Sequence, residues 1–203
     1  IDVRTLVILF CLMAVIAGFQ KIGVFHIIAG KLLERVNGGC QLVLILVMLC
    51  FFFSMLITND VALITFVPLG IQVLGMLGEE RKKKLLIPVV VLQTIAANLG
   101  SMLTPIGNPQ NLYLYARADM KGMEFFKLMI PYSTLALVML SIWCIIIGRK
   151  DGVKQMVFEI KETLIDRKKL VGWSILFFLC IATVAGKIPY TWMFGVVVVG
   201  TFF

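Results

Sequence analysis

Residues 42–78, LVLILVMLCFFFSMLITNDVALITFVPLGIQVLGMLG, are apolar almost throughout, yet Thr58, Asn59 and Asp60 interrupt their centre. As one helix the stretch would be about 55 Å long, against a hydrocarbon core of about 30 Å. A single span is therefore excluded. Split at the polar tripeptide, the arms 42–57 and 61–78 are each about 24–27 Å long, a little short of a full crossing. No loop separates them. They predict a re-entrant helical hairpin that dips into a membrane and returns to the side it came from. A carboxylate at its tip is tolerated at membrane depth only against protein or a water-filled cavity.

The rest of the chain fits that setting. It is 61% hydrophobic, with several apolar runs of span length. An all-α integral membrane protein embedded in a lipid bilayer is expected, not a soluble domain. The net charge of +8 is carried by Lys and Arg in loops. Such charge orients spans and touches anionic lipid, so no nucleic-acid partner is expected. Cys11, Cys40, Cys50, Cys144 and Cys180 are scattered without a CxxC, and His26 is the only histidine. No disulfide framework, metal cluster or cofactor follows. One membrane carboxylate, one histidine and no His-Glu-x-x-His leave intramembrane proteases without their machinery, so no enzyme and no catalytic residue is expected. The chain starts at Ile1 and stops inside an apolar run at Phe203, and reads as a fragment of a longer protein.

In order, a first span is expected over 5–20 and a less apolar interfacial helix over 21–36. His26 lies there and reads as a packing residue. The hairpin follows at 42–78, then a short charged loop at 79–84. Segment 85–116 would be about 48 Å long as one helix, too long for one straight span. Pro105 and Pro109 cannot both sit inside a regular helix. The segment therefore breaks. One half covers about 85–99, and a second begins at Pro109, capped by Asn108 with proline at the first helical position. The unwound stretch 100–108 exposes backbone groups that need partners, as in the broken helices of transporters. A loop, 117–127, leads to a span at 128–148. Residues 149–170 are expected to form an amphipathic cytoplasmic linker, 171–186 a further span, and 191–203 the start of another.

This divides the chain into a first transport repeat at 1–148, the linker, and a truncated second repeat at 171–203. With a returning hairpin, loops 21–41, 79–84 and 149–170 share one face and hold 14 of the 19 Lys and Arg. That face is expected to be cytoplasmic, in a multi-pass plasma-membrane protein. Aligning 5–18 with 173–186 pairs Phe10 with Phe178, Ala14 with Ala182, Ala17 with Ala185 and Gly18 with Gly186. The two spans run in opposite directions, as an inverted repeat requires.

Asp60 is the only acidic residue inside an apolar segment, and such a carboxylate is a candidate site by default. The plainer alternative is a turn with a helix cap at a water interface. A cation reading uses Asp60 with Asn59, Thr58 and freed carbonyls as oxygen donors. An anion reading uses the helix N-termini near 61 and 109. Around the break, Asn98, Ser101, Thr104, Gly107, Asn108 and Asn111 supply amide, hydroxyl and backbone groups. Ala96, Ala97 and Gly100 read as packing positions.

Ile57-Thr58-Asn59-Asp60-Val61-Ala62 with Pro68, then Ala97-Asn98-Leu99-Gly100-Ser101 and Thr104-Pro105-Ile106-Gly107-Asn108-Pro109-Gln110-Asn111, resemble the ion transporter superfamily. That group includes citrate-transporter-like permeases, divalent-anion/sodium symporters, arsenite permeases and sodium/proton antiporters. The resemblance covers essentially the whole chain, as the N-terminal half of such a permease plus the start of its second half. It implies a secondary transporter, coupled to Na+ or H+, for a small anionic or metalloid substrate, with a homodimer as the expected assembly. It further implies Na+ near Thr58, Asn59 and Gly107. In the divalent-anion symporters the matching tip is Ser-Asn-Thr, so Asp60 is a departure. Its fixed charge would repel a dicarboxylate unless paired or protonated, and the Asn-Asp pair is closer to the arsenite permeases. A metalloid/proton or sodium/proton antiporter is therefore the alternative, and a channel or structural membrane subunit the alternative from another class.

Overall fold

The computed structural model describes residues 3–33, 36, 38–118, 120–149, 166–184 and 186–202. Most of the expected amphipathic linker, residues 150–165, and the side chain of His26 lie outside the described residues. Every regular element among those described is an α-helix: α1 (Val3–Lys21), α2 (Val24–Leu33), α3 (Gly39–Ser54), α4 (Asn59–Gly75), α5 (Glu79–Ser101), α6 (Pro109–Arg117), α7 (Gly122–Arg149), α8 (Arg167–Val184) and α9 (Tyr190–Phe202). Of these, α1, α5 and α7 are each long and apolar enough to cross a membrane. The arms α3 and α4 have 16 and 17 residues.

Side-chain contacts fix how the helices run. Gln93 of α5 meets Leu46 of α3 and Phe66 of α4. Further along α5, Asn98 meets Asn59 and Gly100 lies against Phe51. Moving up α5 therefore means moving up α3 and down α4. The two arms form an antiparallel hairpin lying on α5, which is parallel to α3. The C-terminal end of α7 meets the N-terminal end of α3, where Gly148 lies against Cys40. Arg81–Lys84 and Arg149 thus sit at one end of this bundle.

Two apolar layers share the chain. Leu42, Leu46, Cys50, Phe66, Val89, Ala96, Leu140 and Cys144 form the core between α3, α4, α5 and α7. Cys11, Leu12, Val15, Leu176, Cys180, Met193 and Val197 form a second between α1, α8 and α9, joined by Ile106 and Leu112 from the broken segment. Gly18 near the end of α1 packs on Trp173 near the start of α8, so these helices are antiparallel.

Several boundaries differ from the sequence reading: α4 ends at Gly75 rather than 78, and α8 starts at Arg167, inside the expected linker, rather than at 171. Residues 79–84 are not a loop but the first turns of α5. Gly78, at φ 89°, turns the chain; Glu79 and Glu80 then stand in the first turn, where the helix dipole favours acids. Lys82 pairs with Glu79 at 3.5 Å. The first half of the broken helix also runs two residues further than expected, to Ser101. Finally, α7 begins at Gly122 rather than 128, because Glu124 Oε2 accepts the backbone N–H of Lys121 at 3.2 Å and caps the start.

Candidate binding site at the hairpin tip

The end of α3 tightens over its last turn, with Met55, Leu56 and Ile57 N–H groups donating to Phe52 and Phe53. Thr58 then extends (φ −64°, ψ 151°) and stands at the N-cap of α4 without a capping hydrogen bond from its side chain. On the other side α5 stops at Ser101. The chain turns through Leu103 N–H to Gly100 O at 3.1 Å and Gly107 N–H to Thr104 O at 3.3 Å. It then restarts at Pro109, with Asn108 Oδ1 accepting the Asn111 N–H at 2.7 Å. This is the cap and first-position proline that the sequence implies.

The freed backbone groups find partners in the tip and in the break itself. Asn59 N–H donates to Gly107 O at 3.0 Å. The Thr104 hydroxyl donates to Met55 O at the end of α3. Asn111 Nδ2 donates to both Ser101 O and Thr104 O at 3.1 Å. The close approach depends on missing side chains. A Cβ on Gly107 would lie 2.1 Å from Ser101 O, and one on Gly100 would lie 2.1 Å from Phe51 O. Neither backbone neighbour can yield without moving the break or the arm.

The amide orientations follow from their partners. Asn98 Nδ2 donates to Thr94 O at 2.8 Å, and a backbone carbonyl only accepts. Asn98 Oδ1 must therefore face Asn59, whose Nδ2 donates to it at 3.0 Å. Asn59 Oδ1 is thereby turned the other way, buried and without a partner. Next to it the Thr58 hydroxyl is likewise buried and unpartnered, in a residue 3% exposed. By the same logic Asn108 Nδ2 donates to Ser101 Oγ at 3.1 Å, and Ser101 passes its own proton to Asn98 O at 2.9 Å.

The residues expected at the site therefore separate. Thr58 and Asn59 present two open oxygens on successive residues. Asn98 orients Asn59, and Ser101, Thr104, Gly107, Asn108 and Asn111 hold the break against the tip. Asp60, in the first turn of α4, is exposed and takes part in none of the hydrogen bonds just described. Sequence reasoning missed Gln93, which is fully buried and donates to Leu46 O at 3.2 Å and Phe66 O at 3.0 Å. It also missed the Ser54 hydroxyl, donating to Phe51 O at 2.8 Å beside Gly100. An amide beside Thr94 in the run 85–97, apolar elsewhere, was the available signal for Gln93.

A bundle of apolar helices in which a broken helix folds against a polar hairpin tip is the architecture of a membrane permease. The chain belongs to the citrate transporter family, whose sequence model matches residues 1–202. It is 32% identical over 154 residues to inner membrane protein YbiR of Escherichia coli, covering 73% of this chain and 39% of that one. An uncharacterized transporter of Methanocaldococcus jannaschii is 32% identical over 138 residues, 68% of this chain and 38% of its own. The silicon efflux transporter LSI3 of Oryza sativa is 28% identical over 154 residues, 75% of this chain and 31% of its own. The chain thus spans about two fifths of the length of the first two relatives. The family is one of transporters and not of enzymes, as the residue content implies.

Proposed function

We propose that the chain is part of a secondary transporter whose coupling ion is Na+, held at the hairpin tip, and whose substrate is a small anion. The single observation behind this is the pair of buried, unpartnered oxygens, Thr58 Oγ1 and Asn59 Oδ1. Leaving such groups unpaired costs on the order of 1–3 kcal/mol each, which a ligand would recover. Neutral oxygens suit a small hard cation. They are not basic enough to carry a proton near neutral pH, so they favour Na+ over H+. Gly107 O, already accepting from Asn59, keeps a second lone pair for the same ion. The N-termini of α4 and α6 converge beside it, and their N–H groups favour an anionic substrate. We further place the protein in the plasma membrane as a re-entrant-hairpin permease built on an inverted repeat. The basic end carrying Arg81–Lys84 and Arg149 then faces the cytoplasm. Uptake of labelled small anions by proteoliposomes of the full-length protein tests the reading. Uptake should require a Na+ gradient and fail in Thr58→Val; transport that ignores Na+ contradicts it.

One observation favours a second reading. Asp60 is exposed beside the tip and free of that hydrogen-bond network. It could carry a proton in exchange for a metalloid, the class of substrate named for the rice relative. In that case Asp60→Asn abolishes pH-driven transport while Thr58→Val spares it.

A further inference from the structure

Midway along the hairpin, one side chain joins three helices. Gln93 is 0% exposed, and its Nε2 donates to a carbonyl of each arm, Leu46 O in α3 and Phe66 O in α4. Both partners only accept, so the amide orientation is fixed and Oε1 points away from them. Oε1 is buried and without a partner. Its space exists because residue 70 is glycine: a Cβ there would lie 3.0 Å from Oε1. A leucine at 93 would fill an apolar helix interface with no unsatisfied oxygen. The glutamine instead carries that cost and ties α5 to both arms at one level. That level is 5 residues below Asn98 on α5 and 7 below Asn59 on α4, or about 7–11 Å from the tip.

We propose that Gln93 is a positioning residue: it locks the register of the two hairpin arms on α5, and so holds the Thr58-Asn59 tip against the break at Gly107. It touches neither the open oxygens nor the break. It acts by preventing the arms from sliding along α5, a motion that would part Asn59 from Asn98 and from Gly107 together. Gly70 belongs to the same device, since a methyl there would stand 3.0 Å from Oε1 and 3.1 Å from Nε2 and crowd the amide against its carbonyls.

The test uses the full-length protein in membrane vesicles, with Leu56→Cys as a reporter. Leu56 is 52% exposed in the turn between the arms and belongs to no part of the site. Cys11, Cys50, Cys144 and Cys180 are buried, and the reporter protein also carries Cys40→Ser. The rate of labelling by a membrane-impermeant maleimide is read without added ligand. Adding Gln93→Met should raise that rate about tenfold, the value of one ordinary hydrogen bond. Gly70→Ala should raise it in the same direction, and the two together should be less than additive. Gln93→Glu supplies a control within one molecule. A neutral glutamic acid can still donate one proton to a carbonyl, whereas the ionised form has none and faces two carbonyl oxygens. Labelling should therefore stay near the parent rate at low pH and rise once the side chain ionises, each pH being referred to Leu56→Cys alone; Cys50 of α3 is the titratable side chain that faces residue 93. Unchanged rates in Gln93→Met and a flat pH profile in Gln93→Glu overturn the proposal. Na+ against choline in the parent reporter probes the cation reading separately. If Na+ does not slow labelling there, the cation reading fails, while the ion-free rates still decide the role of Gln93.

Discussion

The two apolar layers of the chain are built from similar residues and differ in what they do with polar groups. Among the described residues, the apolar cluster between α1, α8 and α9 is made of thiols, a thioether and aliphatics, and the buried Thr183 hydroxyl is satisfied within its own helix by Leu179 O at 3.1 Å. Among the described residues of the hairpin layer, by contrast, Gln93, Thr104 and Asn111 reach backbone carbonyls across the break and between helices. The α1–α8–α9 layer needs only complementary shape. The hairpin layer trades apolar area for hydrogen bonds that fix where two oxygens point. Specific polar placement, not apolar area, marks the part of the molecule proposed to hold an ion.

Glycines sharpen that contrast first. Gly107→Ala puts a Cβ 2.1 Å from the Ser101 carbonyl. We expect loss of transport and a clear fall in melting temperature, since the break cannot move without pulling Asn59 away. Gly18→Ala in the other layer puts a Cβ 2.4 Å from the Trp173 ring, a side chain that can turn. It should lower the melting temperature by a few degrees yet leave the half-saturating Na+ concentration unchanged. Equal effects of the two on Na+ dependence would break the comparison.

The orienting amide comes next. Asn98→Leu strands the Asn59 amide and should raise half-saturating Na+ by about ten- to a hundredfold, the value of a hydrogen bond serving a charged ligand. Asn98→Asp keeps the acceptor for Asn59 but loses the donor to Thr94, so its shift should be smaller; Na+-activation curves for transport separate the two. The smallest effect is expected from Cys180→Ala. It trims one buried atom in the apolar layer and should cost about 1 kcal/mol of stability by thermal unfolding, with transport intact.

Much of this was legible in the sequence because local chemistry forced it. A polar tripeptide inside a 37-residue apolar run demanded a bend. Pro105 and Pro109 demanded a break, and Asn108-Pro109 marked the restart. Other features depend on three-dimensional partners. Asp60 looked like the centre of the site because carboxylates are rare in membranes, but helix phase turns it away from Asn59's partners. Asn98, Ser101, Thr104, Asn108 and Asn111 all read as ligands by type, whereas their hydrogen bonds commit them to the frame. The extension of α5 through Glu79–Lys84 was hidden by its charge, which reads as loop until the capping acids and Gly78 are considered together.

The central claim is that Thr58 and Asn59 hold the coupling cation. Its most direct test is the melting temperature of the full-length protein as Na+ replaces choline at constant ionic strength. Binding at 100 times the dissociation constant stabilises the folded state by about 2.7 kcal/mol. A rise with Na+ in the parent protein that disappears in Thr58→Val is the result predicted here. The same melting temperature in both salts, or an equal rise in Thr58→Val, would contradict it.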